Sequence, residues 1–195
     1  MTIHTKWALY LGVHLSLSIS LGSEEVSRAK AKLVEQGPVL DGKLDDPCWE
    51  GLPVIKDFRQ RRPNEGFAET EKTEVRLCRD SNFLFIGVRC FDSQPDQIRA
   101  GVMQRDAPVR GDDYFFILID PFSRGRDGYY FRTNANGAKG EALINSDMSR
   151  PKMDWDTIWE VRSQKDNLGW SAEFAIPFRS IPINPDSDEW RIDFG

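Results

Sequence analysis

From Gly37 onward the chain is a succession of short runs of alternating or apolar residues, each stopped by a turn within about a dozen residues. No stretch carries a sustained helical period of about 3.6 residues. "KTEVRLCRD" sets Val75 and Leu77 against Arg76 and Cys78, "DSN" turns at Asp80 to Asn82, and "FLFIGVRCFD" climbs back. "YFFILID" leads through the Pro-, Ser- and Gly-bearing loop "PFSRGRDG" into "YYFRTNANG", which closes on Asn136 and Gly137. "WDTIWEVRSQ" and "WSAEFAIPF" face each other across "KDNLG", and "WRIDFG" is a last strand. A helical turn fits only between Ser93 and Ala107, where Pro95 and Pro108 bracket it. This pattern predicts an all-β fold, a two-sheet antiparallel β-sandwich of jelly-roll type.

The run Gly111 to Phe122, "GDDYFFILIDPF", is unusual for such a sandwich. Phe115, Ile117 and Ile119 fill one face of the strand, and Tyr114, Phe116 and Leu118 fill the other. A sandwich strand should present a polar outer face. Its second face therefore needs a cover: the protein's own loops, a partner segment, or a ligand resting on it.

The first segment has a different character. Lys6 precedes an apolar, Ser-dotted run from Trp7 to Leu21, followed abruptly by polar residues, with Ser20 and Gly22 suitably small for cleavage before Ser23. We read residues 1–22 as a signal peptide, residues 23–36 as a charged connector and 37–195 as the domain. The protein is then expected to be exported, to the periplasm, the cell surface or the medium. An uncleaved membrane anchor is the alternative, for which the run is short and Ser-rich. With net charge −5 and no basic stripe, the chain is not expected to bind nucleic acid. Both histidines, His4 and His14, fall in the leader, so the domain has none for Ser-His-Asp or Cys-His chemistry. Cys48, Cys78 and Cys90 match no zinc spacing. One pair can bridge in an oxidising compartment, but free, buried thiols are expected.

"PVLDGKLDDPCWEGLP" (Pro38 to Pro53) resembles the opening strand of the family 9 carbohydrate-binding modules. "VRLCRDSNFLFIGVRCFD", "DDYFFILID", "GYYFRTNANG", "WDTIWEV", "GWSAEFAIPF" and "WRIDFG" are similar, in that order, to the family's later strands. The likeness covers nearly all of Gly37 to Gly195. It is greatest to the variant found at the front of large exported bacterial proteins that continue into a membrane-barrel-like region. The resemblance implies a non-catalytic module that binds polysaccharide or oligosaccharide of the xylan or cellulose type. It also implies a role in polysaccharide catabolism, attachment to a glycoside hydrolase, and calcium as a structural ion. The family's clamp joins two aromatics, a carboxylate and an arginine. Arg132 matches the arginine and Asn134 a polar neighbour, whereas Phe116 stands at the carboxylate position and Arg110 at that of the first aromatic. The second aromatic would lie beyond Gly195.

Sugar rings offer an apolar C–H face and a rim of hydroxyls, so an aromatic plane beside forked polar groups suits them. Arg105, Asp106, Arg110, Asp112, Asp113 and Arg132 group at one end of two adjacent strands, as a groove rim or as a salt-bridged lattice. Trp155, between Asp154 and Asp156, is either an exposed platform or rim packing; Trp159 and Trp170 are expected in the core, and Trp49 as a cap on the sandwich. The expected sugar contacts are Arg132, Asn134, Arg110, Asp112, Trp155 and Arg105. Asp41, Asp45 and Asp113 are the expected calcium ligands, as hard oxygens carried on loops, although strand-end acids also serve simply to solvate turns. Paired carboxylates also suit a glycosidase, but no other catalytic signature accompanies them, and this chain is not expected to be an enzyme. A second reading from another class makes the domain a docking unit. It would pack Tyr114, Phe116 and Leu118 against a downstream region of the same protein.

Overall fold

The computed structural model describes residues 2–5, 27–125, 127–144, 151–184, 186–187 and 189–195. Among the described residues, eleven strands form two sheets. They are β1 (Thr2–Thr5), β2 (Ser27–Lys30), β3 (Lys32–Leu33), β4 (Thr73–Arg79), β5 (Phe83–Phe91), β6 (Tyr114–Asp120), β7 (Gly128–Asn134), β8 (Gly140–Ile144), β9 (Glu160–Asp166), β10 (Gly169–Pro177) and β11 (Glu189–Phe194). The first sheet runs β2-β1-β11-β6-β7-β8 and the second β3-β4-β5-β10-β9. All pairings are antiparallel except β1 with β11 and β3 with β4. The expected sandwich is thus what the chain forms.

Local chemistry sets the hairpins. Asp80 folds its carboxylate over the β4–β5 turn, accepting from the N–H groups of Asn82 and Phe83, both at 2.7 Å. The β9–β10 turn ends at Gly169, whose φ of +135° belongs to glycine. The helical turn expected after Ser93 is a single 3-10 turn, Pro95–Gln97.

The sheets enclose one large core. Val75, Leu77, Leu84, Ile86, Val88, Phe174 and Ile176 meet Phe115, Ile117, Ile119, Phe131, Ile192 and Phe194 across the middle. Trp159 stacks on Phe174 with the rings 7° apart, and Trp170 is buried nearby, both as expected.

A second core lies on the other side of the β3–β9 sheet. There residues 37–52 cover β4, β5 and β10, and Trp49, Leu52, Cys78, Phe85 and Ala175 pack together. Trp49 therefore caps the sandwich. Gly87 permits this approach, because a Cβ there would lie 2.8 Å from Leu44 and 3.2 Å from Trp49. Glu173, fully buried on β10, anchors the covering segment. It accepts from Asp41 N–H at 3.0 Å, Gly42 N–H at 2.9 Å and the Trp49 indole at 2.9 Å. β10 is consequently buried at every position.

Four features depart from the sequence reading. Pro38–Pro53, likened to an opening strand, forms no strand; it is the covering segment, with the 3-10 turn Pro47–Trp49. Part of the connector 23–36 is ordered as β2 and β3, which extend one sheet each. β8 was not anticipated, because Glu141 interrupts its short apolar run. Residues 155–159 precede β9 rather than belonging to it. Of the expected leader, only residues 2–5 are among the described ones, as β1 between β2 and β11. The remainder, with the cleavage point, lies outside them.

Candidate functional site

Strand alternation decides what the β6–β7 pair shows to the outside. Phe115, Ile117, Ile119 and Phe131 face the core, so Tyr114, Phe116 and Leu118 on β6 and Tyr130, Arg132 and Asn134 on β7 face out. The register places Tyr114 opposite Asn134, Phe116 opposite Arg132 and Leu118 opposite Tyr130. On β11, Trp190, Ile192 and Phe194 point inward, which leaves Asp193 outward opposite Leu118. On β8, Gly140 and Ala142 lie beside Arg132 and Tyr130 and leave that flank low.

The second apolar face of β6 is therefore partly covered and partly open. Leu118 is buried, Phe116 is half-buried and Tyr114 is 44% exposed. Phe116 rests against Tyr130 with ring centres 5.4 Å apart and planes 30° apart, and Gly195 passes over its other side. Burial pushes the Tyr130 hydroxyl up to about 12, while Arg132, hydrogen-bonded to it, pulls the other way. Arg132 gives its Nη2 hydrogens to the carbonyls of Ala107 and Asp106, at 3.0 and 3.3 Å. The guanidinium is thus held in place by loop 99–113, beside an aromatic pair. A Cβ at Gly140 would lie 2.5 Å from Arg132 Nε, so only glycine leaves room for this rotamer.

Asn134 is fully buried and serves the same loop: its Nδ2 donates to Val102 O and Asp112 Oδ2, both at 2.8 Å. Asp112 also accepts from Gly101 and Val102 N–H, at 2.9 and 3.0 Å. These backbone donors, with Asn134, hold its carboxyl below the usual aspartate value. Asn134 and Asp112 therefore shape the loop rather than face a ligand.

Arg105 belongs to a salt-bridged lattice. It pairs with buried Glu141, with Asp156 at 3.1 Å and with Asp106 at 3.6 Å, and it donates to Thr157 O at 3.2 Å. Burial pushes the Asp106 carboxyl up, and Arg105 offsets part of this. Arg110 is exposed after the turn at Val109. Trp155 is half-buried at the rim of the main core. It packs on Tyr129 and Phe131 at 5.3 and 6.1 Å, against the main core, so it cannot act as a platform beside Arg132.

The three expected calcium ligands do not converge. Asp41 is taken by Lys43 through its backbone N–H and its ammonium, at 2.9 and 3.1 Å. Asp113 accepts from Arg99 N–H at 2.7 Å, ahead of β6, and Asp45 is exposed on the covering segment. Among the described residues, no group of three acidic, His or Cys side chains could hold a metal. Donors already take up the Asp41 carboxylate and one oxygen of Asp113.

Sequence reading missed Tyr130, Gly140 and Asp193. The signal for Tyr130 was its spacing of two from Arg132, which puts both on one face. Two of the surface cavities among the described residues lie away from this face. The larger, of about 580 Å³, is bounded by Asp45, Glu50, Glu74, Arg76 and Arg89 beside the covering segment. The smaller, of about 270 Å³, sits by Asp120, Phe122 and Arg124. The larger has ion-paired walls (Arg76 with Glu74, Arg89 with Asp166) and its only aromatic, Trp49, is buried, so it lacks the plane a sugar ring needs.

A family 9 carbohydrate-binding module from Caldicellulosiruptor kristjanssonii, solved with glucose, matches with a TM-score of 0.55 over 80% of this chain and 72% of that one, at 20% identity. This chain has the fold of a family 9 carbohydrate-binding module. A family 9 module from the same organism, solved with cellotriose, matches with a TM-score of 0.53 at 18% identity, over 80% and 71% of the two chains. A candidate carbohydrate-binding protein from Bacteroides uniformis matches with a TM-score of 0.58 at 14% identity, over 79% and 75%. No protein-family model matches the chain, and no curated protein matches it.

Proposed function

We propose that the outer face of β6 and β7 binds carbohydrate, and that the domain is a non-catalytic binding module. The observation that carries this reading is the fixed Arg132 guanidinium beside the Phe116–Tyr130 ring pair, on a sheet face with a low flank at Gly140 and Ala142. An aromatic surface suits the C–H face of a pyranose, and a forked donor held in advance suits adjacent hydroxyls. Asp193 returns a carboxylate to this face from β11, where β6 itself offers Phe116. The fold, shared with modules solved with glucose and cellotriose, supports the same ligand class. In this reading the module is exported, is part of a larger protein, and works in breakdown of xylan- or cellulose-type polysaccharide beside a glycoside hydrolase.

The test is calorimetric titration of the chain with cello- and xylo-oligosaccharides. Binding is expected, and Arg132→Ala should weaken it roughly 10- to 100-fold, the value of a hydrogen bond to a charged group, while the far-ultraviolet spectrum stays unchanged. A folded chain that binds no glycan would overturn the proposal. A docking role toward a downstream region is the second reading, and Phe116 at the clamp's carboxylate position favours it. It expects self-association of the chain, relieved by Tyr114→Ser.

A further inference from the structure

The covering segment 37–52 is anchored on the outer side of its sheet by Glu173 and by a small apolar core. Its 3-10 turn, Pro47–Trp49, lies against β4 and carries Cys48. Cys78 leaves β4 on the same outer side, because Val75 and Leu77 take the inner one. It is fully buried in the second core, with Cys48 packed half-buried at the margin. The two thiols lie within hydrogen-bonding reach of each other. Cys90 is elsewhere: it packs against the main core, in register with Thr73 and Trp170. Of the three pairings open to three cysteines, one joins two thiols that share this second core. A disulfide between them requires the sulfurs at about 2.05 Å.

We propose that Cys48 and Cys78 are a disulfide-forming pair, a covalent staple between the covering segment and β4 that leaves Cys90 as the remaining thiol. The oxidant is a disulfide, either a small-molecule one or that of a thiol–disulfide oxidoreductase. Cys48, the accessible member, attacks one sulfur of the oxidant as its thiolate and expels a thiolate from it. Cys78 then loses its proton and attacks Cys48 Sγ, expelling the second thiolate. Two electrons pass to the oxidant, which is reduced to two thiols, and one S–S bond forms in the protein. Burial raises both thiols above their ordinary value, Cys78 the further of the two. Closure is therefore fastest while the covering segment is still undocked, and slow in the finished fold.

The experiment refolds the chain in a glutathione redox buffer, blocks remaining thiols and maps peptides without reduction. The expected result is a linked peptide pair holding Cys48 and Cys78, with one blocked thiol, at Cys90. The closed loop of about thirty residues should raise Tm by roughly 5–12 °C over the reduced chain. Cys48→Ser and Cys78→Ser should each abolish that difference, and Cys90→Ser should keep it. A linked peptide containing Cys90, or three blocked thiols after refolding under oxidant, would overturn the proposal. Both readouts are independent of glycan binding, so failure of the sugar reading leaves this one standing.

Discussion

Arg132 is positioned from two sides. Loop carbonyls of Asp106 and Ala107 take its Nη2 hydrogens, and the missing side chain of Gly140 gives its stem room. This predicts an effect at a residue that need not touch sugar. Gly140→Ala places a methyl group 2.5 Å from Arg132 Nε, so the guanidinium must move. Glycan affinity should fall roughly tenfold in titration calorimetry, as expected for a misplaced charged donor, with little change in Tm. Equal affinity in this variant would show that the observed rotamer is not the binding one. Arg132 itself was legible in the sequence, since the strand pattern "YYFRTN" and the family likeness both point to it. Asn134 and Asp112 were legible only as polar residues near a strand end. Their true work, tying loop 99–113 together, depends on contacts 22 and 32 residues apart, which alternation does not encode. For Trp155 the sequence left platform and rim packing open, and the structure shows rim packing. Its acidic neighbours, Asp154 and Asp156, suggest a surface position, while the indole turns inward onto Tyr129 and Phe131.

The element with most at stake in a single side chain is the covering segment. Glu173 alone among the β10 side chains is an acid, and it receives three donors from residues 41 to 49. In the sequence it is only an odd charge in "WSAEFAIPF"; the partners that explain it lie up to 132 residues away. Replacing it by glutamine keeps the volume but turns one acceptor into a donor aimed at other donors. Glu173→Gln should cost about 2 kcal/mol or more in urea unfolding. Burial raises the Glu173 carboxyl above 4.5, and the Trp49, Gly42 and Asp41 donors offset only part of that. The folded chain thus keeps a proton that the unfolded chain releases. This group's contribution is complete below pH 4.5 and is lost as pH rises through its folded value. Wild-type stability should therefore fall as pH rises above 4.5, and the glutamine variant should lack that fall. A fall of the same size in both proteins would assign it to another group.

At the scale of the whole molecule, the two-sheet sandwich and its seven central strands were readable because alternation and turn residues agree along the chain, whereas β1, β2, β3 and β8 were not. The second core was not readable. Cys78, Phe85 and Ala175 look like outward positions of an ordinary half-buried sheet, and only the docking of residues 37–52 makes them interior. Asp41, Asp45 and Asp113 do not converge, and no described group of three acidic, His or Cys side chains can hold a metal. A chelator should therefore leave Tm unchanged in differential scanning calorimetry. A fall of several degrees, restored by calcium, would show a metal site built from other residues.

The place of β10 bears on how fast this domain reaches its native state. β4–β5 and β9–β10 are each local hairpins, but β5 must find β10, and the pair Arg89–Asp166 that borders this seam spans 77 residues. Closing so long a loop before any contact rewards it is slow. The seam should then be half-formed at the barrier, while the covering segment settles afterwards. In stopped-flow refolding, Val88→Ala, at the β5–β10 seam, should mainly slow folding. Trp49→Ala, in the late-docking cover, should mainly speed unfolding. Between those two events the outer side of β10 stands open to water, and that interval is when the nascent chain is most prone to stick to its neighbours.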